Sequence, residues 1–396
     1  MQSHVLVADS PRVRSRVAST LDISFTRDPS VWHTGEVEEL WRARLGETIA
    51  PHAAQQTPAW LDHRVRAEPD GRFSLAMVRD RGVLVGVAPL MEETRELDFA
   101  VGDVSFHASH LRCAVLLGGA PLLPREARVH DALFLAVAEE LRDCDAIDMD
   151  LIPRDGFAYA HVEGSPAIHR RFLVYEPAVQ GAGPVQRIDM PASFDAYLAK
   201  FNGKTRSTLK RRVRAMRDHG GFRLVRYDGT GSGGAFLEAA GHVARTTWQR
   251  RLGDRFEEGT SWPRRLADLA DHGLLRSYVL YTEGDPCAFV LGFQVDGQFH
   301  YVKPGYDPKY EKLSPGTVLL YEMLEDMYGW NTPRTVCFCT GDAPYKRFFA
   351  NAQIETADLL LLRRGLQNRV LMVCHAGFRG GVARVKDWLQ RRHPAV

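Results

Sequence analysis

Two parts of the sequence repeat one order of secondary-structure patterns, and this repeat constrains the fold more than any other feature. In each part, two β-rich runs surround a turn that contains Gly and Asp, which is typical of a β-hairpin. The hairpins are predicted over residues 73–90 and 277–293. Each is followed by an amphipathic helix and a short apolar strand, over 131–141 and 146–151 in the first part and over 317–328 and 335–339 in the second. This order predicts an α/β fold of two tandem, similar halves, each a mixed β-sheet flanked by helices.

A segment of small residues, 179–184, separates the two parts and is the predicted linker. We expect an N-terminal half over 1–183, a C-terminal half over 184–365 and a helical tail over 366–396. The tail is expected to pack as a surface helix on the second half. A chain of 396 residues is also longer than one average domain, so its length favours two domains.

The composition is that of a globular protein and excludes several classes. Apolar residues make up 45% of the chain, and the net charge of +2 argues against a protein coated by nucleic acid. No basic segment leads into an apolar one at the N-terminus, so no signal peptide is expected. No apolar run approaches the roughly 20 residues that cross a bilayer. Six cysteines in so long a chain indicate reduced thiols and a cytoplasmic protein.

No metal site is expected from the sequence. Cys337 and Cys339 lack the spacing of a zinc finger, and the chain has no partner Cys-x-x-Cys. His107 and His110 have a spacing that could suit a metal, but no third ligand is near them in sequence. Two ordinary histidines are therefore the simpler interpretation.

The strand-to-helix turn over 340–346 carries the most chemical groups. Turns at the carboxyl ends of strands are where α/β sheets usually bind ligands. Asp342 is expected to orient an amine or accept a proton, Tyr345 to donate a proton to a leaving group, and Lys346 to hold a phosphate or carboxylate. The alternative is a helix start in which Asp342 caps, Pro344 opens the helix and Tyr345 packs on the sheet.

The loop before the predicted helix at Thr317 is the second candidate site. Ser314 is expected to be the N-cap and Pro315 the first helical residue. The unpaired N–H groups and the dipole of a helix start attract anions, and Gly316 would let a phosphate approach the backbone. We therefore expect the phosphates of an acyl donor to bind along Leu313, Ser314, Pro315, Gly316 and Thr317. A well-capped helix with no ligand is the alternative.

A predicted helix over 204–219 is strongly basic. Leu209, Val213 and Met216 form its apolar stripe. Eight cations lie within it or just before it: Lys200, Lys204, Arg206, Lys210, Arg211, Arg212, Arg214 and Arg217. Such a face can bind an RNA or phosphate backbone. A solvated helix that pairs with acids elsewhere is the alternative, because no aromatic residues are interleaved with the charges.

A later helix, predicted over about 235–251, carries an aromatic and basic end. Arg245 and Trp248 lie there with further arginines. This end could line a substrate cleft, and anchoring of the helix to the core is the alternative. Arg245 and Trp248 are carried forward as candidate substrate-binding residues, together with Tyr306 of the loop before Ser314.

With these motifs in place, the second half resembles the BioF2-like acetyltransferase domain. This is a branch of the GNAT superfamily that also includes CelD-like proteins and is related to FemAB-type peptidyltransferases. The resemblance covers about 193–362 and rests on three segments: the basic helix Lys204–Arg212 followed by Gly220, Gly305-Tyr306-Asp307 leading to Ser314-Pro315-Gly316, and Gly341-Asp342 with Tyr345-Lys346. The first half looks like the N-terminal half of the same branch at 57–61 and 85–90. The resemblance implies two GNAT-like halves.

The chain departs from the superfamily pattern at two places. Ser314-Pro315-Gly316 stands where GNATs carry an Arg/Gln-x-x-Gly-x-Gly/Ala pyrophosphate loop. Cys337 precedes Phe338 where relatives usually carry an acidic residue, which leaves the general base open. GNATs use acyl-CoA and FemAB-type relatives use aminoacyl-tRNA, so the first departure leaves both donors open.

The motifs and the resemblance together predict an N-acyltransferase. It is expected to move an acyl group from acyl-CoA, with acetyl-CoA as the first choice, to an amine acceptor bound between the two halves. Tyr345 is the expected general acid, Asp342 the amine orienter or base, and Lys346 the anion-binding residue. His300 and Glu322 are further candidates for a proton relay.

Two other functions are compatible with the same sequence. One is an aminoacyl-tRNA-dependent, FemAB-like transferase whose basic helix, 204–217, contacts the tRNA. The other is a degenerate GNAT pair that binds a ligand or partner without catalysis. The acceptor is a small-molecule or peptidyl amine in either catalytic case.

Overall fold

The computed structural model describes residues 20–46, 51–67, 72–101, 104–177, 184–246, 262–341 and 343–392. These residues form two compact units. The first contains the described residues within 1–58, 70–182 and 357–396, and the second those within 59–69 and 183–356. No helix among the described residues is long and apolar enough to cross a membrane.

The first unit is built on a seven-stranded sheet of order β1-β2-β3-β4-β5-β14-β6. Its strands are β1 (Leu21–Thr26), β2 (Arg72–Asp80), β3 (Val83–Val101), β4 (Val104–Leu116), β5 (Ala146–Pro153), β6 (Phe172–Tyr175) and β14 (Thr356–Arg363). β4 and β5 pair in parallel, from Cys113 with Ala146 to Val115 with Asp148. The predicted hairpin over 73–90 is formed by β2 and β3.

Five helices accompany this sheet in the described part of the first unit. They are α1 (Gly35–Gly46), α3 (Ala127–Glu140), α4 (Phe157–Gly164), α5 (Pro166–Arg171) and α12 (Leu366–Arg392). α3 lies on the β1–β2 side and buries Leu133, Phe134 and Val137 in the core. α2 (Pro58–Ala67) begins at the last residue before the second unit and continues into it.

The second unit is built on a seven-stranded sheet of order β13-β7-β12-β11-β10-β9-β8. Its strands are β7 (Val185–Asp189), β8 (Arg223–Tyr227), β9 (Ser277–Thr282), β10 (Asp285–Val295), β11 (Gln298–Tyr306), β12 (Thr335–Cys337) and β13 (Ala352–Ile354). β9 and β10 form the predicted hairpin over 277–293. β11 and β12 pair in parallel, and β12 pairs on its other side with β7.

Helices cover both faces of the second sheet. They are α2, α6 (Phe194–Leu198), α7 (Gly203–Asp218), α8 (Ser232–Ala244), α9 (Trp262–Asp271), α10 (Pro315–Gly329) and α11 (Pro344–Phe349). α7 and α10 pack on the face that presents Ala288 and Val290 of β10. Because strand side chains alternate between faces, Phe289 points the other way, where it contacts Phe236 of α8.

The predicted α/β fold of two similar halves is confirmed, because each unit has one mixed seven-stranded sheet with a central parallel pair. The last strands connect the units in an unexpected way. β7 follows β6 in the chain but lies in the second sheet, and β14 follows β13 but lies in the first. The two units therefore do not coincide with the predicted halves, 1–183 and 184–365, and the tail over 366–396. The predicted domain bounds stay a proposal. The linker residues before Pro184 lie outside the described residues.

The expectation that the C-terminal tail packs on the second half is wrong. β14 returns the chain to the first sheet beside β6, so α12 starts on the first unit. His375 of α12 contacts this unit directly, through a hydrogen bond of 2.6 Å with the Tyr175 hydroxyl and one of 3.1 Å to the Asp98 carbonyl.

Candidate active site

The second sheet opens where β11 and β12 stop pairing. The two strands pair at three positions, the last of which joins His300 and Cys337. β11 then continues to Tyr306, whereas β12 ends and the chain turns at two left-handed residues, Cys339 (φ 52°) and Gly341 (φ 82°). In this described stretch, the β12-facing edge of β11 has no strand partner beyond His300.

A cavity of about 740 Å³ lies at this opening. This volume is in the range of sites that hold cofactor-sized ligands. The described residues that line it are Phe289, Tyr301, Pro304, Gly305, Tyr306, Glu311, Ser314, Pro315, Gly316, Thr317, Leu319, Leu320, Gly341, Ala343, Tyr345, Lys346 and Phe349. The cavity therefore brings together β11, the start of α10, Gly341 and residues of the 343–349 segment.

The start of α10 forms one wall and differs from a standard cap. Pro315 is the first helical residue, as predicted, and Ser314 occupies the N-cap position. The predicted side-chain cap is absent in this described segment, because Ser314 adopts a left-handed conformation (φ 55°, ψ 52°) and its hydroxyl accepts no N–H of the helix. Its carbonyl accepts hydrogen bonds from Thr317 and Val318 at 3.0 and 3.1 Å.

The N–H of Gly316 remains available at this helix start. Among the hydrogen bonds of the described residues, none uses it. A Cβ at Gly316 would meet only Tyr306 Cδ1, at 3.7 Å, so the missing side chain leaves open space at the lining of the cavity. The first turn of this 15-residue helix thus offers a free donor and the positive end of the helix dipole.

Tyr345 stands on the facing segment, in the first turn of α11. Its ring packs against Tyr301 and Phe338, with centroid distances of 6.2 and 6.4 Å. In the described part of the chain its hydroxyl has no hydrogen-bond partner. Burial, with a smaller effect of Cys339, raises the pKa of Tyr345 to about 12. The phenol therefore stays protonated near neutral pH and can donate a proton into the cavity.

Lys346 is buried, and its side chain holds the turn that precedes α11. Its ammonium donates hydrogen bonds to the carbonyl oxygens of Phe338, Thr340 and Gly341 at 2.8, 2.5 and 2.9 Å. The left-handed turn thus points three backbone carbonyls at this side chain. The anion-binding role expected from the sequence stays a prediction. Asp342 lies outside the described residues.

His300 is on the other face of the sheet from the neighbouring Tyr301. It is buried and stacks on Phe293, with a centroid distance of 4.7 Å and an interplanar angle of 15°. It does not line the cavity but lies with Cys337 and Cys339, and the ligand atoms of the three are within 4.8 Å of one another. Hydrogen bonds from Cys339 hold the pKa of Cys337 below its ordinary value.

Glu322 belongs to a contact between helices. On α10 it accepts hydrogen bonds of 2.8 and 3.1 Å from Arg217 of α7. Burial raises the pKa of Glu322, and the Arg217 charge opposes this shift. Glu322 is not among the described residues that line the cavity, and its expected relay role stays a prediction.

The remaining candidates are divided between the cavity and its surroundings. Tyr306 lines the cavity, whereas Leu313 packs at the edge of the hydrophobic core. Arg245 is exposed at the C-terminal end of α8 and is not among the lining residues. Trp248 lies outside the described residues.

Sequence reasoning missed several lining residues, of which Tyr301 and Glu311 carry polar groups. Tyr301 could have been found from strand alternation, since it follows His300 and must face the opposite side. Glu311 lies in a 3-10 helix, Pro308–Leu313, that precedes α10. No pattern in the sequence marks Glu311, because its place depends on how this short helix folds back to the cavity.

The basic helix α7 has the predicted apolar stripe, with Leu209, Val213 and Met216 buried. Arg217 pairs with Glu322, and Lys200, just before the helix, donates to carbonyls at the end of α11. The other six cations are exposed: Lys204, Arg206, Lys210, Arg211, Arg212 and Arg214. α7 also contacts the 308–313 segment that leads into α10, where His219 at the C-terminal end of α7 packs on Tyr310.

Part of the chain matches a known family, and its fold is similar to that of solved structures. Residues 203–347 match the family model described as "Acetyltransferase (GNAT) domain". A search of curated proteins found no match. Two solved structures are similar in fold. One, described as FemX, has a TM-score of 0.59 at 12% identity over 87% of this chain and 99% of its own. A tandem GNAT protein from the clavulanic acid biosynthesis pathway has a TM-score of 0.52 at 14% identity over 87% and 99%.

The matched region contains α7, β8–β12 and α10, so it includes the opened strands and all the described lining residues of the cavity except Phe349. The fold is similar to that of a tandem GNAT protein. The second half contains the matched acetyltransferase (GNAT) domain, which supports an acyltransferase, as the resemblance in the sequence implied.

Proposed function

We propose that this protein is an N-acyltransferase that takes its acyl group from acyl-CoA and transfers it to an amine in the cavity of the second unit. One observation carries the proposal. The cavity where β11 leaves β12 has a helix start with a free N–H on one side and a free, protonated phenol on the other. A helix start can bind the phosphates of a thioester donor, and a protonated phenol can give its proton to the leaving thiolate.

The unpaired edge of β11 is suited to an extended donor arm. An exposed strand edge offers N–H and C=O groups in alternation, and the two amides of a pantetheine arm can pair with them as another strand would. Gly305 lies on this part of β11, and the preceding Pro304 offers only its carbonyl, because proline has no N–H. In this arrangement, the pyrophosphate lies at the start of α10, where Gly316 permits close approach.

The chemical step needs two proton transfers. The neutral amine attacks the thioester carbonyl, and its oxygen develops negative charge that backbone N–H groups of β11 can stabilise. The C–S bond then breaks, and Tyr345 gives its proton to the departing thiolate. The amine loses one proton, directly or through water, to a carboxylate. Glu311 lies at the cavity, and Asp342 remains a proposal from the sequence.

CoA binding tests this proposal directly. Acetyl-CoA or CoA at 100 to 1,000 times its Kd should stabilise the protein by about 2.7 to 4.1 kcal/mol and raise the melting temperature by several degrees. Gly316→Val should abolish the shift, since its methyl groups occupy the space above the free N–H. Gly329→Val on the same helix is the matched control, because a Cβ there meets nothing within 4 Å. No shift at millimolar CoA would rule out the acyl-CoA donor.

Transfer from aminoacyl-tRNA is the second candidate, and the exposed face of α7 favours it. Six cations lie on this face, and α7 contacts the segment that leads into α10. A tRNA acceptor end could therefore bind the basic face while its aminoacyl ester reaches the cavity. Salt-sensitive tRNA binding without any CoA-dependent shift would support this function over the first.

A further inference from the structure

We propose that His300, Cys337 and Cys339 form a binding site for a thiophilic divalent metal ion of the zinc class. The site lies in the second unit, on the sheet face opposite Tyr301. It is independent of the acyl donor proposed above and would hold for either donor.

The fold brings the three ligands together although the sequence separates them. His300 and Cys337 are paired neighbours on β11 and β12, so both side chains project from the same face. Cys339 is two residues further on, and its left-handed backbone turns the chain back toward Cys337. The imidazole nitrogen and the two sulfur atoms lie within 4.8 Å of one another.

This separation is close to what a metal requires. Zinc binds Cys sulfur at about 2.3 Å and His nitrogen at about 2.0–2.1 Å, so tetrahedral ligand atoms lie roughly 3.5 Å apart. Side-chain rotations that move the atoms by about 1 Å would close the site. Two thiolates and an imidazole are a ligand set that zinc prefers, and three protein ligands leave a fourth position for water or another ligand.

The surroundings suit a bound ion. Phe293 stacks on His300 and Trp60 packs on Phe293 at 4.7 Å, so the imidazole has an apolar shell on one side. Cys339 is only half-buried, which gives an ion a path of entry. Zinc displaces two thiol protons when it binds two cysteines, so the charge of the site does not change. The nearby Lys346 ammonium therefore adds little repulsion.

The repeat within the chain shows that the fold itself does not require these residues. In the first sheet, the pair that corresponds to His300 and Cys337 is Val115 and Asp148, at the third position of the parallel pairing. The residue that corresponds to Cys339 is Asp150. The His and Cys set is thus a property of the second unit, which also holds the cavity.

A bound metal would fix the turn on which the cavity depends. Cys339 lies between Phe338 and Thr340, whose carbonyls accept hydrogen bonds from Lys346. Tyr345 follows five residues after Thr340. Coordination of Cys339 should therefore hold the turn that positions both side chains, and its effect should be visible without an activity assay.

Cobalt binding tests the site. The reduced, chelator-treated full chain should bind one Co²⁺, with a thiolate-to-cobalt charge-transfer band and the strong visible bands of tetrahedral Co²⁺, and one Zn²⁺ should abolish both. Cys339→Ser and His300→Asn should each weaken Zn²⁺ binding more than about tenfold, as measured by competition with a chromogenic chelator. Cys374→Ser, which changes an exposed cysteine of α12, should leave binding unchanged.

Three results would overturn the proposal. One is a reduced protein that binds no Co²⁺, and another is a cobalt spectrum without a thiolate band. The third is metal affinity that Cys339→Ser and His300→Asn leave intact. If the reduced protein binds no metal but hydrogen peroxide converts Cys337 and Cys339 to a disulfide and water, the pair is a redox couple instead. Because Cys339 is half-buried, its serine variant should fold, and a thermal melt checks this.

Discussion

Replacing Tyr345 with Phe removes one hydroxyl from the cavity and leaves the ring in place. The ring packs against Tyr301 and Phe338, and Phe retains these contacts. Within the described residues the hydroxyl makes no hydrogen bond, so its loss leaves no protein group unsatisfied. The stability of the variant should therefore stay within about 0.5 kcal/mol of the parent.

The rate should fall much further than the stability. A positioned general acid contributes typically about 10²–10⁴-fold, which corresponds to roughly 3–5 kcal/mol of activation free energy. Because the phenol of Tyr345 has a raised pKa, of about 12, it is protonated through the accessible assay range. Deprotonation of this phenol should therefore cause no decline in kcat between pH 7 and 10.

The measurement is steady-state transfer from acetyl-CoA to a panel of amines, with thermal melts of each variant. Tyr328→Phe is the matched control, because its buried hydroxyl has no partner in the described structure and lies outside the cavity residues. Wild-type rates in Tyr345→Phe would refute the general-acid role. An alkaline decline that disappears in this variant would refute the argument from its pKa.

Lys346→Met provides the contrast. It removes an ammonium that donates to three backbone carbonyls, of which the Phe338 carbonyl is buried, and a buried polar group left without a partner costs about 1–3 kcal/mol. We expect a loss of stability of about this size and a lower rate, because the turn is displaced. An isolated increase of KM in a stable protein would instead restore the anion-binding role expected from the sequence.

Two further predictions concern charge. Reversal of Lys210, Arg211 and Arg212 to Glu should leave kinetics with acetyl-CoA within about twofold, since solvated charges contribute little. If tRNA is the donor, the same change should weaken tRNA binding and reduce its salt slope by about 2. In the first unit, burial raises the pKa of Asp148 to about 8, so the folded state holds a proton that the unfolded state has lost. The associated stability is present at low pH and is lost as the pH rises through about 8. Asp148→Asn should therefore flatten the fall of unfolding free energy between pH 5 and 8, by up to about 1.4 kcal/mol per pH unit.

Local patterns in the sequence were sufficient for much of the second unit. The alternation over 277–293 predicted β9 and β10, and the 3.6-residue period predicted α10. Pro315 correctly marked the first residue of that helix. These elements follow from short-range periodicity and from the steric preference of proline for a helix start.

Features that depend on distant partners could not be obtained in this way. The run Thr356–Arg363 is apolar and strand-like, but nothing in it tells which sheet it joins. Lys346 looked like a ligand-binding cation, because a sequence does not show that Cys339 and Gly341 are left-handed and turn carbonyls inward. His300 and Cys339 are 39 positions apart in the numbering, so their proximity needed the register of β11 against β12.

The candidate site depends on a strand that lies outside the matched GNAT region. β12 pairs on one side with β11 and on the other with β7, through Cys337 and Arg187. β7 (Val185–Asp189) precedes residue 203, where the family match begins. Without β7, the outer edge of β12 would be unpaired, and the turn at Cys339 would lose the strand that supports it. The N–H of Phe338, the residue after Cys337, also donates a hydrogen bond of 3.0 Å to the Gln186 carbonyl of β7. β7 therefore supports the strand that leads into the turn, although none of its residues is among the described residues that line the cavity.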